Sequence, residues 1–138
     1  MAGYSGTPLP KKLGIKAGHR VLLVDAPDGF DLDPLPADVT IDRKPDATYA
    51  TITSYDVIVA FCPDAATLTD GFGDWRARLD TAGGLWIAWP KKSSGVATDL
   101  TENAVRDIGL AAGVVDNKVC AIDATWSGLR LVVRLADR

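Results

Sequence analysis

One histidine, His19, one methionine and two cysteines are all that this 138-residue chain holds of those residue types. A single imidazole cannot build a histidine-rich metal site or a catalytic cluster that needs several histidines, and His19, between Gly18 and Arg20, reads as a turn residue. Cys62 and Cys120 each end an apolar run and show no paired spacing, so free, buried thiols are expected rather than a disulfide framework. Long apolar runs are missing too. VIVAFC and LWIAW are far too short to span a bilayer, and no early apolar stretch resembles a signal peptide, so a cytoplasmic protein without a membrane partner is expected. Positive charge is in deficit, with 15 Lys and Arg against 18 Asp and Glu. That balance argues against a general nucleic-acid partner, which needs an excess of cations on one face. The serine turn G-x-S-x-G and the phosphate-loop frame G-x-x-x-x-G-K are absent. Asp25, Asp28, Asp31 and Asp33 lack the alternate-residue spacing and central glycine of a calcium loop.

What the chain does have is a globular composition, 47% hydrophobic against 24% charged, at the length of one domain spanning residues 1–138. The net charge of −3 hides an asymmetry. Lys11, Lys12, Lys16 and Arg20 open the chain with no acid among them, whereas Asp25 to Asp46 is strongly acidic.

Order along the chain is legible from apolar period and punctuation. Thr7 and Pro8 predict the cap and first position of a short helix that stops at Gly14, and Tyr4 before it is expected against the body. RVLLVD at 20–25 is apolar on both faces, the pattern of a central parallel strand. Three prolines in residues 26–37 leave no room for a full crossover helix before a short strand, DVTI. Residues 42–54 read as a loop. DVIVAFC at 56–62 is a buried strand, and Asp64 caps a helix with the stripe Leu68, Phe72, Trp75 and Leu79. Gly71 and Gly73 weaken that helix, by about 1 kcal/mol each relative to alanine, and Gly83 and Gly84 are expected to end it. LWIAW is the next strand. Asp99 and Glu102 read as a capping box for a helix with Leu100, Ala104, Ile108 and Ala111 buried and Gly113 as its stop. KVCAI and LRLVVRL then flank DATWSG as an antiparallel hairpin, with Leu129, Leu131, Val133 and Leu135 inward and Arg130 and Arg134 outward. The expected fold is α/β and Rossmann-like: a mostly parallel sheet closed by an antiparallel C-terminal hairpin.

Strand, helix, strand, helix and antiparallel hairpin over residues 56–135 resembles the C-terminal half of class I S-adenosylmethionine-dependent methyltransferases, in a reduced form. The stretches YSGTPL, WPKKSSGVATDLTEN and DNKVCAIDATWSGLR are similar to a bacterial family catalogued as a domain of unknown function, which implies no activity and no catalytic residue. The methyltransferase resemblance implies a glycine-rich turn after the first strand, where backbone amides approach the cofactor. This chain has DAPDGF there, with Gly29 as its one glycine and Pro27 without an N–H. The degraded turn predicts a module that does not hold the cofactor. If the cofactor did bind, Asp25, Gly29 and Asp42 would be the contacts, with Asp42, at the end of the second strand, near the ribose.

The loop Lys91, Lys92, Ser93, Ser94 and Gly95 leaves the carboxyl end of a buried strand, where open α/β sheets bind ligands. Its two ammonium groups, two hydroxyls and glycine suit a small anion. Trp126, at the hairpin tip, is a candidate to cover a ligand or a protein partner. The leading expectation is therefore a non-catalytic module, without a cofactor, binding a small anionic or nucleotide-like ligand or a protein partner. The alternatives are a divergent methyltransferase and a protein–protein adaptor.

Overall fold

The computed structural model describes residues 7–44 and 54–137. Tyr4 and most of the 42–54 stretch lie outside them. A four-residue helix α1 (Leu9–Lys12) precedes strands β1 (Arg20–Val24), β2 (Thr40–Lys44) and β3 (Tyr55–Phe61). Helix α2 (Ala65–Arg78), strand β4 (Leu79–Pro90), helix α3 (Glu102–Ala111) and strands β5 (Val114–Ala121) and β6 (Trp126–Val133) follow. The six strands form one sheet in the order β2-β1-β3-β4-β6-β5. The first four pair in parallel and β6 alone runs against its neighbours, which is the architecture the apolar pattern predicts.

Period-two alternation divides the core. Leu22, Val24, Ile58, Ala60, Leu85 and Ile87 face one side and meet Leu68, Phe72 and Trp75 of α2 and Val105 of α3. Val21, Leu23, Val57, Val59, Trp86 and Ala88 face the other. That side is covered by Leu13 and Ile15 after α1, Leu32 from the β1–β2 loop, and Ile122. The indole of Trp86 donates to the carbonyl of Leu13 at 3.0 Å, fastening the α1 segment to β4. Among the described residues, no helix is long and apolar enough to cross a membrane.

Several local expectations change. Pro8, not Thr7, is the cap of α1, with no side-chain hydrogen bond. The α2 helix ends at Arg78 because Leu79 turns extended, and β4 starts at once. Gly83 and Gly84 therefore sit inside β4, where a side chain on Gly83 would press on the Asp56 carbonyl. Thr101 caps α3 by accepting from the Ala104 amide, while Asp99 accepts from Ala65 at the start of α2. The buried face of α3 uses Val105 in place of exposed Ala111, and Leu135 is 80% exposed beyond the end of β6. Both cysteines are free, Cys62 buried and Cys120 half-buried.

The two glycines of α2 differ in kind. Side chains on a helix lean toward its N-terminus over position i−4, and the Trp75 ring occupies the place where a Gly71 side chain would be. Gly73 faces open space. Gly71→Ala should therefore destabilise the fold by about 1–3 kcal/mol through overpacking, and Gly73→Ala should stabilise it by up to about 1 kcal/mol. Urea denaturation of the two variants checks both signs.

Candidate functional site

The chain order reverses at β1. It leaves the carboxyl end of β1 for β2 on one side, while β3 pairs on the other. The connection after β1 contributes Phe30 and Leu32 to one face, and α2, after β3, covers the opposite face. Where connections diverge in this way, an open α/β sheet has its usual ligand crevice, outside the carboxyl ends of the two strands.

Parallel register places Val24 beside Ala60, so Asp25 and Cys62 leave their strands together. Asp25 has φ 54°, in the left-handed region, which short polar side chains tolerate better than most. Phe30 then donates to the Pro27 carbonyl at 3.0 Å, closing a β-turn in which Gly29 has φ 80°. Pro27 participates through its carbonyl, and its missing N–H removes nothing from that turn. Among the described residues, the amides of Ala26, Asp28 and Gly29 donate to no protein acceptor.

Electrostatics at this crevice favours cations. Burial pushes the Cys62 thiol up to about 12, and the charges of Asp25 and then Asp64 add to the effect. The thiol is protonated at neutral pH and no nucleophile. Hydrogen bonds from the Thr67 hydroxyl and amide hold the Asp64 carboxyl below its ordinary range. Asp64 and Asp99 together occupy the α2 N-terminus, which sets two carboxylates against any anion there. The Thr98 hydroxyl donates to the Pro63 carbonyl at 2.7 Å, tying the loop after β4 to the loop after β3.

On the other face, three aromatics line the rim. Phe61 at the end of β3 meets Phe30 edge-on at 4.9 Å and Trp126 at 5.2 Å. Trp126 thus packs on the sheet. Phe30 and Phe61 escape a reading by sequence because one sits in a loop and the other ends a buried run.

Lys91, Lys92 and Gly95 line a cavity of about 590 Å³ with Trp89, Leu100 and Glu102. Ser93 and Trp126 are not in its wall. Ser94 uses its hydroxyl within the loop, donating to the Lys91 carbonyl at 2.6 Å and accepting from the Val96 amide. The five residues form a one-turn 3₁₀ helix, Lys92–Ser94, closed by Gly95 at φ 77°.

No protein-family model matches the chain, and no curated protein matches it. Solved structures do. Fibrillarin from Aeropyrum pernix, in complex with natively bound S-adenosyl-L-methionine, aligns with TM-score 0.58 and 14% identity over 94% of this chain and 70% of its own. A TehB-like S-adenosylmethionine-dependent methyltransferase from Corynebacterium glutamicum aligns with TM-score 0.55 and 10% identity over 86% of this chain and 82% of its own. TrmN from Thermus thermophilus gives TM-score 0.55 and 13% identity over 91% of this chain and 47% of its own. These likenesses show a methyltransferase-type Rossmann-like fold.

They correct the leading expectation of a non-catalytic module without a cofactor, because the structures that share this fold include an S-adenosylmethionine-dependent methyltransferase and a protein with natively bound S-adenosyl-L-methionine. That expectation rested on the degraded turn after β1, and the backbone removes its premise. Asp25 adopts the left-handed conformation without being glycine, and the three amides that follow remain open.

Asp42 needs a second correction. It lies within β2, paired with Leu22, not at the strand's end. Its carboxylate accepts from Arg20 Nε at 2.9 Å and from the Tyr55 hydroxyl at 2.8 Å. Burial alone would raise the Asp42 pKa, but the bonds from Arg20 and Tyr55 and the charge of Arg20 together hold it below its ordinary value. Burial and the Asp42 contact push Tyr55 up to about 12. Asp42 is thus held by Arg20 and Tyr55 in the middle of β2, not after the strand where a ribose contact was expected.

Asp42→Ala should cost about 1–3 kcal/mol at neutral pH by leaving the Tyr55 hydroxyl without its acceptor. With a folded-state pKa below the unfolded value of about 3.9, the carboxylate's contribution is complete above about pH 5. It fades as pH falls through its folded-state pKa. The gap between wild type and variant should narrow in acid when urea midpoints are measured against pH.

Proposed function

We propose that the chain binds S-adenosylmethionine at the carboxyl edge between β1 and β3 and acts as a divergent methyltransferase. The observation that carries this reading is the Asp25–Phe30 turn, set at the reversal point of the sheet with its amides open. The likeness to methyltransferase structures, including one in complex with natively bound S-adenosyl-L-methionine, supports it.

The residues present fit the group. The amides of Ala26, Asp28 and Gly29 suit the carboxylate of its methionine part, as backbone donors suit anions in other nests. Asp25 and Asp64, whose field raises the Cys62 thiol, favour a cationic sulfonium at the same place. Bound S-adenosylmethionine would supply an electrophilic methyl group. Phe30 and Trp126, packed edge-on against buried Phe61, give the crevice an apolar side. The cavity beside Lys91 and Lys92 opens at the end of β4, adjoining the crevice through the Thr98–Pro63 bond. It gives the methyl acceptor a place.

Thermal melting with S-adenosylmethionine and with S-adenosylhomocysteine tests the reading. A ligand at 100 times its Kd contributes about 2.7 kcal/mol to stability, a rise of a few degrees in Tm for a chain of this length. Asp25→Gly should leave stability unchanged or raise it by up to about 1–2 kcal/mol, since φ 54° suits glycine, yet shrink the ligand response. Lys91→Ala with Lys92→Ala should retain the response. Wild type unmoved by either compound, or equal responses in wild type and Asp25→Gly, would remove the carboxyl edge as the site.

A further inference from the structure

We propose a second site, at the opposite end of the parallel strands, that takes a compact phosphorylated metabolite through its phosphate or diphosphate group. A cavity of about 420 Å³ opens there, walled by the α1 segment, the amino ends of β3 and β4, and the β5–β6 ribbon. Four basic side chains, Lys12, Lys16, Lys118 and Arg130, line it against one carboxylate, Asp56. In a chain of net charge −3 this is a local reversal of sign, and a concave wall focuses such a field on an anion.

The geometry holds the cations in place. Lys118 donates to the Lys12 carbonyl at 2.9 Å, joining β5 to α1 across the cavity mouth. The Arg130 guanidinium lies over Gly84, where a side chain would collide with it, so a glycine in β4 leaves room for that planar donor group. Arginine in such a fixed position suits two oxygens of one phosphate. His19 accepts the Lys16 amide on Nδ1 at 3.1 Å, which puts the proton of the neutral ring on Nε2, a further donor at the wall. Asp56 already accepts the Arg20 amide at 2.8 Å. Its carboxylate limits the charge the cavity welcomes and offers an acceptor for a hydroxyl of the same ligand. That combination selects an ester of phosphate or diphosphate carrying hydroxyl groups over a bare halide.

Inorganic pyrophosphate is the probe, added at millimolar concentration to the full chain at constant ionic strength. Melting and isothermal titration calorimetry should both register binding, and sodium chloride of equal ionic strength should not reproduce it. Lys16→Glu reverses an exposed charge and should weaken binding about tenfold or more, as loss of one charge-assisted contact does. Lys12→Gln with Lys118→Gln should weaken it further. Both variants should keep the wild-type response to S-adenosylmethionine, which separates failure of this site from failure of the carboxyl-edge site. Circular dichroism identifies any variant that fails to fold, and Lys16→Glu then decides alone. No heat with pyrophosphate, or an affinity unchanged in Lys16→Glu, would overturn the proposal.

Discussion

The polar cluster of Arg20, Asp42 and Tyr55 fastens three strands at one point, and the geometry at their far ends depends on it. α2 buries its apolar face against β4 and α3 against β5 and β6, and the β1–β2 connection carries no helix. At the amino ends of β1 and β3, against the middle of β2, a half-buried ion pair and a buried phenol do the closing instead. Such a cluster contributes little as bare Coulomb energy. Its strength is geometric, because breaking it would leave the Tyr55 hydroxyl buried and unpaired. With the amino ends fixed, parallel register carries through to Val24 beside Ala60, and Asp25 emerges beside Cys62.

The same register gives the molecule two ends of different character. At the carboxyl end, Asp25, Asp64 and Asp99 surround the crevice and the start of α2. At the amino end, the lysines of the α1 segment meet Lys118 and Arg130 from the last ribbon. Composition reports only the small negative sum. The sequence does show the first lysines without acids among them, but Lys118 and Arg130 join them only because β6 inserts between β4 and β5.

Strands and helices were legible wherever a local rule governs them. RVLLV, DVIVAF and LWIAWP are apolar on both faces because both faces are covered, and Asp64 caps the helix that follows it. The errors occur where a partner is distant in sequence. Asp99 has capping-box spacing to Glu102, yet its acceptor oxygen serves Ala65, 34 residues away. Gly71 looks like a weak point until the Trp75 ring is seen to lie over it. Asp42 appears to end a strand because DVTI contains the β-branched residues, whereas pairing with β1 extends that strand to Lys44. The aromatic rim was invisible for the same reason, since Phe30, Phe61 and Trp126 come from three separate segments.

The candidate site shows how far a motif differs from the physics that it encodes. A glycine-rich turn serves a cofactor by permitting positive φ and by leaving amides uncovered, and neither property belongs to glycine alone. Aspartate reaches the left-handed region at a cost of about 1–2 kcal/mol, and at Asp25 that cost accompanies a negative charge beside the crevice. A glycine there would be less strained but would leave the field near Cys62 weaker. An anionic ligand would gain nothing from that exchange, whereas a sulfonium would. The residue that breaks the expected pattern is therefore better matched to the proposed cationic methyl donor than to the anion that Lys91 and Lys92 suggested from the sequence.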